Sequence, residues 1–168
     1  MLGFSCVDSC GSTALNLAIR REREDLVRDV LDQGGLDINA ASTSGWTALH
    51  TTAHYSCVET IELLLAQDGI DADQPTSSGQ TPLMRARYYL SMEPLLAHPG
   101  VKVDHVDDLG RSALSYAAER ADLSAGVLLK HGARPDLKDS SGETPISRAV
   151  TAKQGDMVKL LEIVIAPN

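Results

Sequence analysis

Apolar residues recur at every third or fourth position in two stretches of the chain, residues 24–33 and 59–67. This spacing places the apolar side chains on one face of a helix, so each stretch predicts an amphipathic helix with one buried side. A glycine after such a stretch favours a helix end, because glycine adopts the left-handed conformation of a C-cap without strain. We therefore expect helices to end at Gly34 and Gly35, Gly69, Gly100 and Gly132.

A second pattern occurs five times and predicts where other helices begin. It consists of a glycine, any residue, Thr or Ser, Ala or Pro, and then Leu or Ile. Thr and Ser are favoured N-caps and proline suits the first helical position, so the pattern predicts a turn followed by a helix start. The glycines lie 31 to 34 residues apart, at Gly11, Gly45, Gly79, Gly110 and Gly142.

The period near 33 residues predicts a stack of helix pairs, since no single unit of this size can bury its apolar face alone. The pattern resembles the ankyrin repeat, and the resemblance covers about residues 8 to 165. It implies an all-α, helix-turn-helix solenoid of about five stacked repeats with projecting turn tips. Arg85 and Arg148, two places after the Leu or Ile, resemble repeats of fungal proteins. We expect one domain with repeats at roughly 8–41, 42–75, 76–106, 107–138 and 139–168.

Two repeats depart from the regular spacing. The third is short, which predicts a shortened turn between its helices, with Pro94 in the first turn of the second helix, where proline is tolerated. In the fifth repeat Gly155 falls two places late, so residues 150–154 are expected to lengthen the first helix.

Composition and charge narrow the functional classes. One Trp, four Tyr and one Phe in 168 residues predict an aliphatic core, and a net charge of −8 argues against a nucleic-acid partner. Three cysteines are too few for a disulfide framework. No apolar run is long enough to span a bilayer, and no basic segment followed by an apolar stretch opens the chain. We expect a soluble, cytoplasmic protein that does not contact membranes.

The resemblance implies a partner surface on the concave side, formed by the turn tips and the first helices. Three of the four tyrosines and the only tryptophan fall on these positions, and exposed aromatic residues favour recognition. We therefore predict a non-catalytic scaffold or adaptor that binds a protein partner, with Trp46, Tyr55 and Tyr89 as anchors. The other interpretation is that Trp46 folds back on its own turn and Tyr88 packs under the shortened turn. The candidate partner-binding residues are Trp46, His54, Tyr55, Tyr88, Tyr89, Arg111, Glu119 and Arg120.

Two other functions stay open at this point. The concave face could hold a small molecule for cyclase-like or isomerase-like chemistry, with His54 or a tyrosine as the acid-base group. Alternatively, the chain could be a structural or oligomerising fragment of a longer ankyrin-repeat receptor. No catalytic constellation is recognisable, so we assign no catalytic residue and no cofactor.

A zinc site is the weakest candidate chemistry. His50, His54 and Cys57 have a spacing that can hold zinc, but the resemblance implies that His50 bonds to the neighbouring turn. We therefore predict no metal, and we expect Cys6 and Cys10 to be idle thiols.

Two further predictions concern stacking and the ends of the array. Tyr116 is expected to lie between the guanidinium groups of Arg85 and Arg148, because the three occupy equivalent positions in successive repeats. The charged first repeat is typical of a cap. The last helix carries too many apolar residues for one buried face, namely Val158, Leu161, Ile163, Val164 and Ile165. We therefore predict self-association or an interdomain contact there, and the other interpretation is that this end folds back.

Overall fold

The computed structural model describes residues 13–120 and 122–165, with side chains up to residue 163. These residues contain ten helices, arranged as five consecutive pairs. A single β-bridge joins Val106 and Ser112 within these residues, and no longer strand occurs there. The helices are α1 (Ala14–Arg20), α2 (Glu24–Asp32), α3 (Ala48–Tyr55), α4 (Val58–Leu65), α5 (Pro82–Arg85), α6 (Tyr89–Ala97), α7 (Ala113–Arg120), α8 (Ser124–Lys130), α9 (Pro145–Thr151) and α10 (Gly155–Ile165).

The first helix of each pair begins at the predicted Thr or Ser. The hydroxyls of Thr13, Thr47 and Thr144 each accept the backbone N–H three residues later, and Ser112 does the same in the fourth pair. Each such cap stabilises a helix by about 1 kcal/mol. Thr81 is also an N-cap, but its side chain makes no capping bond and Pro82 follows it. The predicted helix starts are thus confirmed.

The first helices, α1, α3, α5, α7 and α9, pack side by side in one row. The second helices, α2 included, make up the other row: each packs against its own first helix, and α6 also contacts α4 and α8. Small residues make the close approach possible: Ala53, Ala86, Ala117 and Ala149 have no exposed surface. The core is aliphatic, with a fully buried leucine at the same position of four successive first helices, namely Leu15, Leu49, Leu83 and Leu114. The predicted all-α solenoid is therefore confirmed, whereas the repeat boundaries within it stay predictions.

The turns that precede the first helices are joined to one another by main-chain bonds. The N–H of Ser77 donates to the carbonyl of Ser44 at 3.2 Å, and the N–H of Ser140 donates to the carbonyl of Leu109 at 2.9 Å. Gly45 shows why glycine is needed in these turns. Its φ is +81°, and a Cβ there would lie 2.5 Å from the backbone nitrogen of Ser77. Any other residue would strain the turn and push its neighbour away.

The third pair is short in its first helix. α5 has only four residues, and its C-cap Ala86 is already extended at φ −62° and ψ 126°. α6 then begins at Tyr89, so Pro94 lies inside that helix, as its sixth residue. The prediction that Pro94 occupies the first turn of the second helix is wrong, because the missing length was taken from α5 and not from the turn.

The fifth pair corrects a second prediction. α9 ends at Thr151 and has seven residues, as α1 does, so residues 150–154 do not lengthen it. The turn instead contains Lys153 at φ 59°, much as the turns after α1 and α3 contain Glu22 at φ 54° and Ser56 at φ 61°. Gly155 is the first residue of α10. The late glycine therefore marks a helix start.

Two of the predicted helix ends are confirmed. Gly34 and Gly132 directly follow the C-caps of α2 and α8 and have positive φ, as does Gly35. Gly69 also has positive φ, but α4 ends at Leu65 with Ala66 as its C-cap, so this glycine belongs to a later turn. Gly100 does not have positive φ. α6 ends instead through the extended residue His98, directly before Pro99.

Several predictions fall on residues that the structure does not describe. Cys6, Cys10 and the first turn at Gly11 lie outside the described ranges, as do the side chains of Val164 and Ile165. Across residues 13–120 and 122–165, no helix has the length and apolar character that crossing a membrane requires.

Candidate functional site

The turns at 42–46, 76–80, 107–111 and 139–143 and the exposed sides of the first helices form one surface, which we call the inner surface. In each of these turns the N–H of the first residue donates to the carbonyl of the last at 2.8 to 3.0 Å. The next residue is the N-cap of a first helix in every case. A side chain at the end of a turn is therefore held beside the helix that follows it.

Trp46, His54 and Tyr55 form an aromatic cluster on the second helix pair. The ring centroids of Trp46 and His54 lie 5.6 Å apart at 73°, and those of His54 and Tyr55 lie 5.2 Å apart at 88°. These edge-to-face arrangements are the favoured geometry of aromatic pairs. Trp46 is half-buried by its neighbours, whereas Tyr55 is 50% exposed. The packed rings of Trp46 and His54 thus form a fixed support for the accessible ring of Tyr55.

A cleft of about 320 Å³ opens beside the aromatic cluster, between α1 and α3. Its position is fixed by Asn16, whose side-chain N–H donates to the carbonyl of Trp46 at 3.2 Å and whose oxygen accepts from the Thr51 hydroxyl at 3.3 Å. A volume at the small end of the range for ligand pockets suits one inserted side chain. The lining residues are Asn16, Arg20, Ser42, Ser44, Trp46, Thr51, His54 and Tyr55.

His50 is a structural residue, as the resemblance implied. Its Nδ1 accepts the backbone N–H of Thr47 at 3.2 Å, so Nε2 carries the proton and donates to the carbonyl of Gln80 at 2.9 Å. Burial lowers the pKa of His50 to about 4. Both ring nitrogens are thus used inside the fold, which leaves none to bind zinc together with His54 and Cys57. No group of three or more potential metal ligands occurs among the described residues.

His54 lies in a positive field. Its pKa is lowered first by burial and then by the charges of Arg87, Arg85 and Arg120. The imidazole is therefore neutral at pH 7. Within the described ranges no carboxylate forms an ion pair or hydrogen bond with it, so nothing there orients it as a general base.

We call Arg85, Arg87 and Arg120 the arginine cluster. The Cζ of Arg85 lies 4.9 Å from the ring centroid of Trp46, over its face. Arg120 donates to the carbonyl of Ala86 at 3.2 Å. The Nε atoms of Arg85 and Arg120 are buried without a hydrogen-bond partner in the described structure. Burial lowers the pKa of both arginines, which shows that neither charge is fully solvated.

Tyr116 is the centre of a polar network below the arginine cluster. Its hydroxyl donates to Oδ2 of Asp107 at 2.6 Å and accepts from Gln80 and Arg111, both at 2.5 Å. Its ring lies 4.4 Å from the Cζ of Arg111 and 6.0 Å from that of Arg120. Arg111 was predicted as a partner-binding residue, but its guanidinium group takes part in this network.

The predicted ladder of Arg85, Tyr116 and Arg148 is wrong. The guanidinium groups beside Tyr116 belong to Arg111 and Arg120, as given above. Arg85 stacks on Trp46 instead, and Arg148 is drawn away by the buried carboxylate of Asp139, to which its Nε donates at 2.6 Å. Attraction to a carboxylate outweighs contact with an aromatic ring.

The fifth repeat carries a different site. Arg148 also lies 3.9 Å from the carboxylate of the exposed Glu119, and the two side chains border a pocket of about 330 Å³ with Glu143. Burial raises the pKa of Asp139, but the bonds from Arg148 and from two turn amides outweigh it and hold that pKa below its ordinary value. This end of the inner surface thus carries exposed carboxylates, in contrast to the arginine cluster.

Tyr88 and Tyr89 are exposed, at 62% and 46%, as predicted. Their position is not the predicted one, however. α5 ends at Arg85, so Tyr88 is the N-cap of α6 and Tyr89 its first residue, rather than a pair on a first helix. The alternative in which Tyr88 packs under a shortened turn is also excluded by its exposure.

The sequence analysis missed Arg87 and the role of Thr76. The signal was available in the turns, because the residue three places before the glycine is Asp107 in the fourth turn and Asp139 in the fifth, but Thr76 in the third. Aligning these positions would have shown that Arg85 lacks the carboxylate that Arg148 has.

Comparison with known proteins agrees with this architecture. Residues 30–93 and 87–164 match a family model described as ankyrin repeats (3 copies). Neurogenic locus notch homolog protein 1 of Mus musculus is 34% identical over 143 residues, which cover 83% of this chain and 6% of that protein. The 26S proteasome non-ATPase regulatory subunit 10 of Dictyostelium discoideum is 34% identical over 74 residues, 43% of this chain and 32% of the subunit.

Ankyrin repeat domain-containing protein 63 of Homo sapiens is 35% identical over 68 residues, 40% of this chain and 18% of that protein. The chain spans a third or less of the length of these relatives. The family model covers most of the chain, and the stacked helix pairs, capped turns and bonded turn tips fit it. The chain belongs to the ankyrin repeat family, whose repeats mediate protein–protein interactions.

Proposed function

We propose that the chain is a non-catalytic scaffold or adaptor that binds a segment of a partner protein along its inner surface. The observation that carries the proposal is the aromatic cluster, where Trp46 and His54 hold the exposed Tyr55 at the edge of a cleft. A rigid aromatic ring beside a pocket gains contact area at little entropic cost. In this proposal the inner surface takes the part of the predicted concave partner surface.

The other predicted site residues take different parts in this proposal. Tyr88 and Tyr89 extend the contact past the end of the short α5. Arg120 and Glu119 supply charges of opposite sign on neighbouring positions of α7, which favours a partner with a matching charge pattern. Arg111 supports the surface through Tyr116 and contributes little direct contact, because only 19% of its side chain is exposed.

Small-molecule catalysis has less support. The acid-base candidate His54 is held neutral by burial and by three arginines, and it has no orienting carboxylate in the described structure. A partner protein uses the same rings and cleft without needing a positioned base.

The test is affinity capture with the native chain beside a Trp46→Ala, Tyr55→Ala double variant. Leu26→Ala, which truncates an exposed leucine on α2 in the other row, is the matched control. We expect the double variant to lose specific proteins that the native chain and the control retain. Equal thermal midpoints for the three proteins would show that the fold is intact. Recovery of the same proteins with all three would contradict the proposal.

A second contact is proposed at the C-terminal end, where the last helix was predicted to self-associate. Of the residues predicted on α10, Ile163 is 74% exposed, whereas Leu161 is buried and takes no part in such a contact. Leu160, which is 37% exposed, lines a groove with Leu123, which is 84% exposed. Such a patch favours pairing with a second copy of the chain. We expect Ile163→Glu to reduce dimer measured by light scattering, and a native chain that stays monomeric at high concentration would refute this contact.

We also propose that the module acts in the cytoplasm, since Cys57, the N-cap of α4, forms no disulfide within the described residues. Imaging of the chain fused to a fluorescent protein tests this location.

A further inference from the structure

The first residue of each turn determines whether a side chain of the following first helix is bound to that turn. In the fourth turn Oδ1 of Asp107 accepts the N–H groups of Leu109 and Arg111, which leaves Oδ2 to face the residue nine places later, Tyr116. The fifth turn repeats this arrangement, with Oδ1 of Asp139 on its own turn amides and Oδ2 on Arg148. One carboxylate thus closes the turn and also binds a side chain of the helix.

The third turn keeps the first half of this arrangement and lacks the second. Oγ1 of Thr76 accepts the N–H groups of Ser78 at 3.4 Å and of Gln80 at 3.2 Å, as the aspartates do with Oδ1. Threonine has no second oxygen, and the residue nine places later is Arg85. Arg85 therefore occupies the position of Arg148 without its carboxylate, and it stacks on Trp46 instead.

No other carboxylate replaces the missing one. Asp107 influences Arg85 through space, but its two oxygens already bind Tyr116 and the amides of its own turn. Asp122 lies 3.5 Å from Arg120 and accepts the N–H of Ser124 at 2.7 Å. Within the described residues, neither Arg85 nor Arg87 forms an ion pair.

The result is a local excess of positive charge on a chain whose net charge is −8. Of the three guanidinium groups, that of Arg120 alone forms an ion pair among the described residues, and all three charges lower the pKa of His54. Trp46 covers one face of the Arg85 guanidinium and Nε of Arg85 is buried, so the two terminal NH2 groups are the donors left for a ligand. Arginine held in this way binds carboxylates with two parallel hydrogen bonds.

We infer that the arginine cluster, with Trp46 as its aromatic wall, is a receptor for a carboxylate in an acidic segment of the partner protein. The inference rests on the proposed function and names the chemistry of the partner. The partner's Asp or Glu supplies to Arg85 what Asp139 supplies to Arg148.

The experiment measures binding of a fluorescein-labelled hexaglutamate peptide by anisotropy at low salt, with labelled hexalysine as the opposite-charge probe. Two variants weaken the receptor in different ways. Arg85→Gln removes the guanidinium, and Thr76→Asp supplies a carboxylate within the chain. The aspartate is compatible with the fold, because Asp107 and Asp139 occupy the same turn position at 6% and 7% exposure and Thr76 is 6% exposed.

Arg28→Gln is the matched control, since it removes one positive charge from α2, in the other row. We expect Arg85→Gln and Thr76→Asp to weaken hexaglutamate binding about tenfold, and the control to stay within about twofold of the native chain. The native chain is expected to prefer hexaglutamate to hexalysine in spite of its net negative charge. Circular dichroism and thermal melting show that the variants are folded.

The inference is overturned if Thr76→Asp binds hexaglutamate as tightly as the native chain, or if the native chain does not prefer that peptide. Affinity capture separates this failure from failure of the proposed function. Partners lost from the Trp46→Ala, Tyr55→Ala variant but fully kept by Thr76→Asp would leave the inner surface in place and refute the carboxylate receptor. Partners kept by both variants would refute the proposed function. The peptide titration would then still decide whether the arginine cluster binds carboxylates.

Discussion

The third and fifth helix pairs place an arginine at the same position and surround it differently. Arg148 is bound by the buried Asp139 and lies near Glu119, so its charge is balanced within the chain. Arg85 has an indole ring on one face and forms no ion pair among the described residues. The turns before the two helices close with the same pattern of bonds, although α5 has four residues and α9 has seven. A single turn residue, Thr76 or Asp139, decides whether the arginine stabilises the fold or remains available to a ligand.

The comparison also shows how one fold can carry two kinds of charged site. A buried ion pair adds rigidity, and breaking it leaves an unpaired charge in the interior. An arginine without a carboxylate lowers the stability of the chain slightly but gains binding energy when a partner brings one. The variants described below test the two halves of this contrast.

The largest effect is expected at the site of Arg148 and Asp139, which we call the closed site. The site of Arg85 and Thr76 is the open site. Asp139→Ala removes the partner of Arg148 and two bonds to turn amides, so we expect the free energy of unfolding to fall by about 3 kcal/mol in urea titrations. Arg85→Ala, the corresponding change at the open site, is expected to cost about 1 kcal/mol or less, because only a contact with Trp46 is lost. Equal losses for the two variants would remove the distinction between the sites.

The third turn forms no ion pair with Arg85. It is held in part by His50, whose Nε2 donates to the carbonyl of Gln80. The pKa of His50 is about 4 in the folded chain and 6.5 ordinarily, so the unfolded chain takes up the proton first as the pH falls. This stabilisation is complete above about pH 6.5 and is lost between there and pH 4, up to about 3 kcal/mol.

Urea titrations across this pH range measure the loss, with His50→Gln as the control, since glutamine does not titrate. The native chain is expected to lose more stability than the variant between pH 7 and pH 4. Parallel pH profiles for the two proteins would show that His50 does not hold the third turn as described.

Gly45 tests how tightly the second turn holds the third. Gly45→Ala combines strain at φ +81° with a clash against the backbone of Thr76 and Ser77, so we expect a loss of about 2 kcal/mol in thermal or urea unfolding. Gly142 has nearly the same φ, +78°, and open space around the new methyl group, so Gly142→Ala should cost about 1 kcal/mol. A Gly45 variant no worse than the Gly142 variant would contradict close contact between these turns.

The smallest effect is expected from closing the open site. Thr76→Asp supplies the missing oxygen to Arg85, and we expect the free energy of unfolding to rise by about 1 kcal/mol at low salt and less at high salt. Native and variant urea curves at two salt concentrations measure it. A clear loss of stability would show that Arg85 cannot reach the third turn in the way Arg148 reaches the fifth.

Most of the fold could be predicted from the sequence, because it depends on local signals. Thr47 and Thr144 cap the helices that follow them, and a leucine two places after the cap is buried in the first four units. In the fifth unit the corresponding residue is the half-buried Ile146. The short α5 could not be predicted, because the length of a helix with Pro94 in the next one depends on how both pack against α7 and α8.

The candidate site was predictable only in part. Exposure of Tyr55, Tyr88 and Tyr89 followed from the repeat positions, but the surroundings of Tyr116 did not. Equivalent positions in successive repeats suggested Arg85 and Arg148 as its neighbours, whereas the competition between carboxylates and rings brought Arg111 and Arg120 to it. Which charged groups pair depends on the length and the burial of their side chains. The spacing of residues along the chain gives neither.

The bonds between successive turns involve main-chain atoms, as from Ser77 to Ser44 and from Asp108 to Ser78. Any residue except proline can provide such an N–H, and every residue can provide the carbonyl. The register of the array is therefore independent of the side chains that the turns display. Selection can rewrite the chemistry of the tips, exchanging Thr76 for an acid or Trp46 for another group, while the spacing between neighbouring units stays the same.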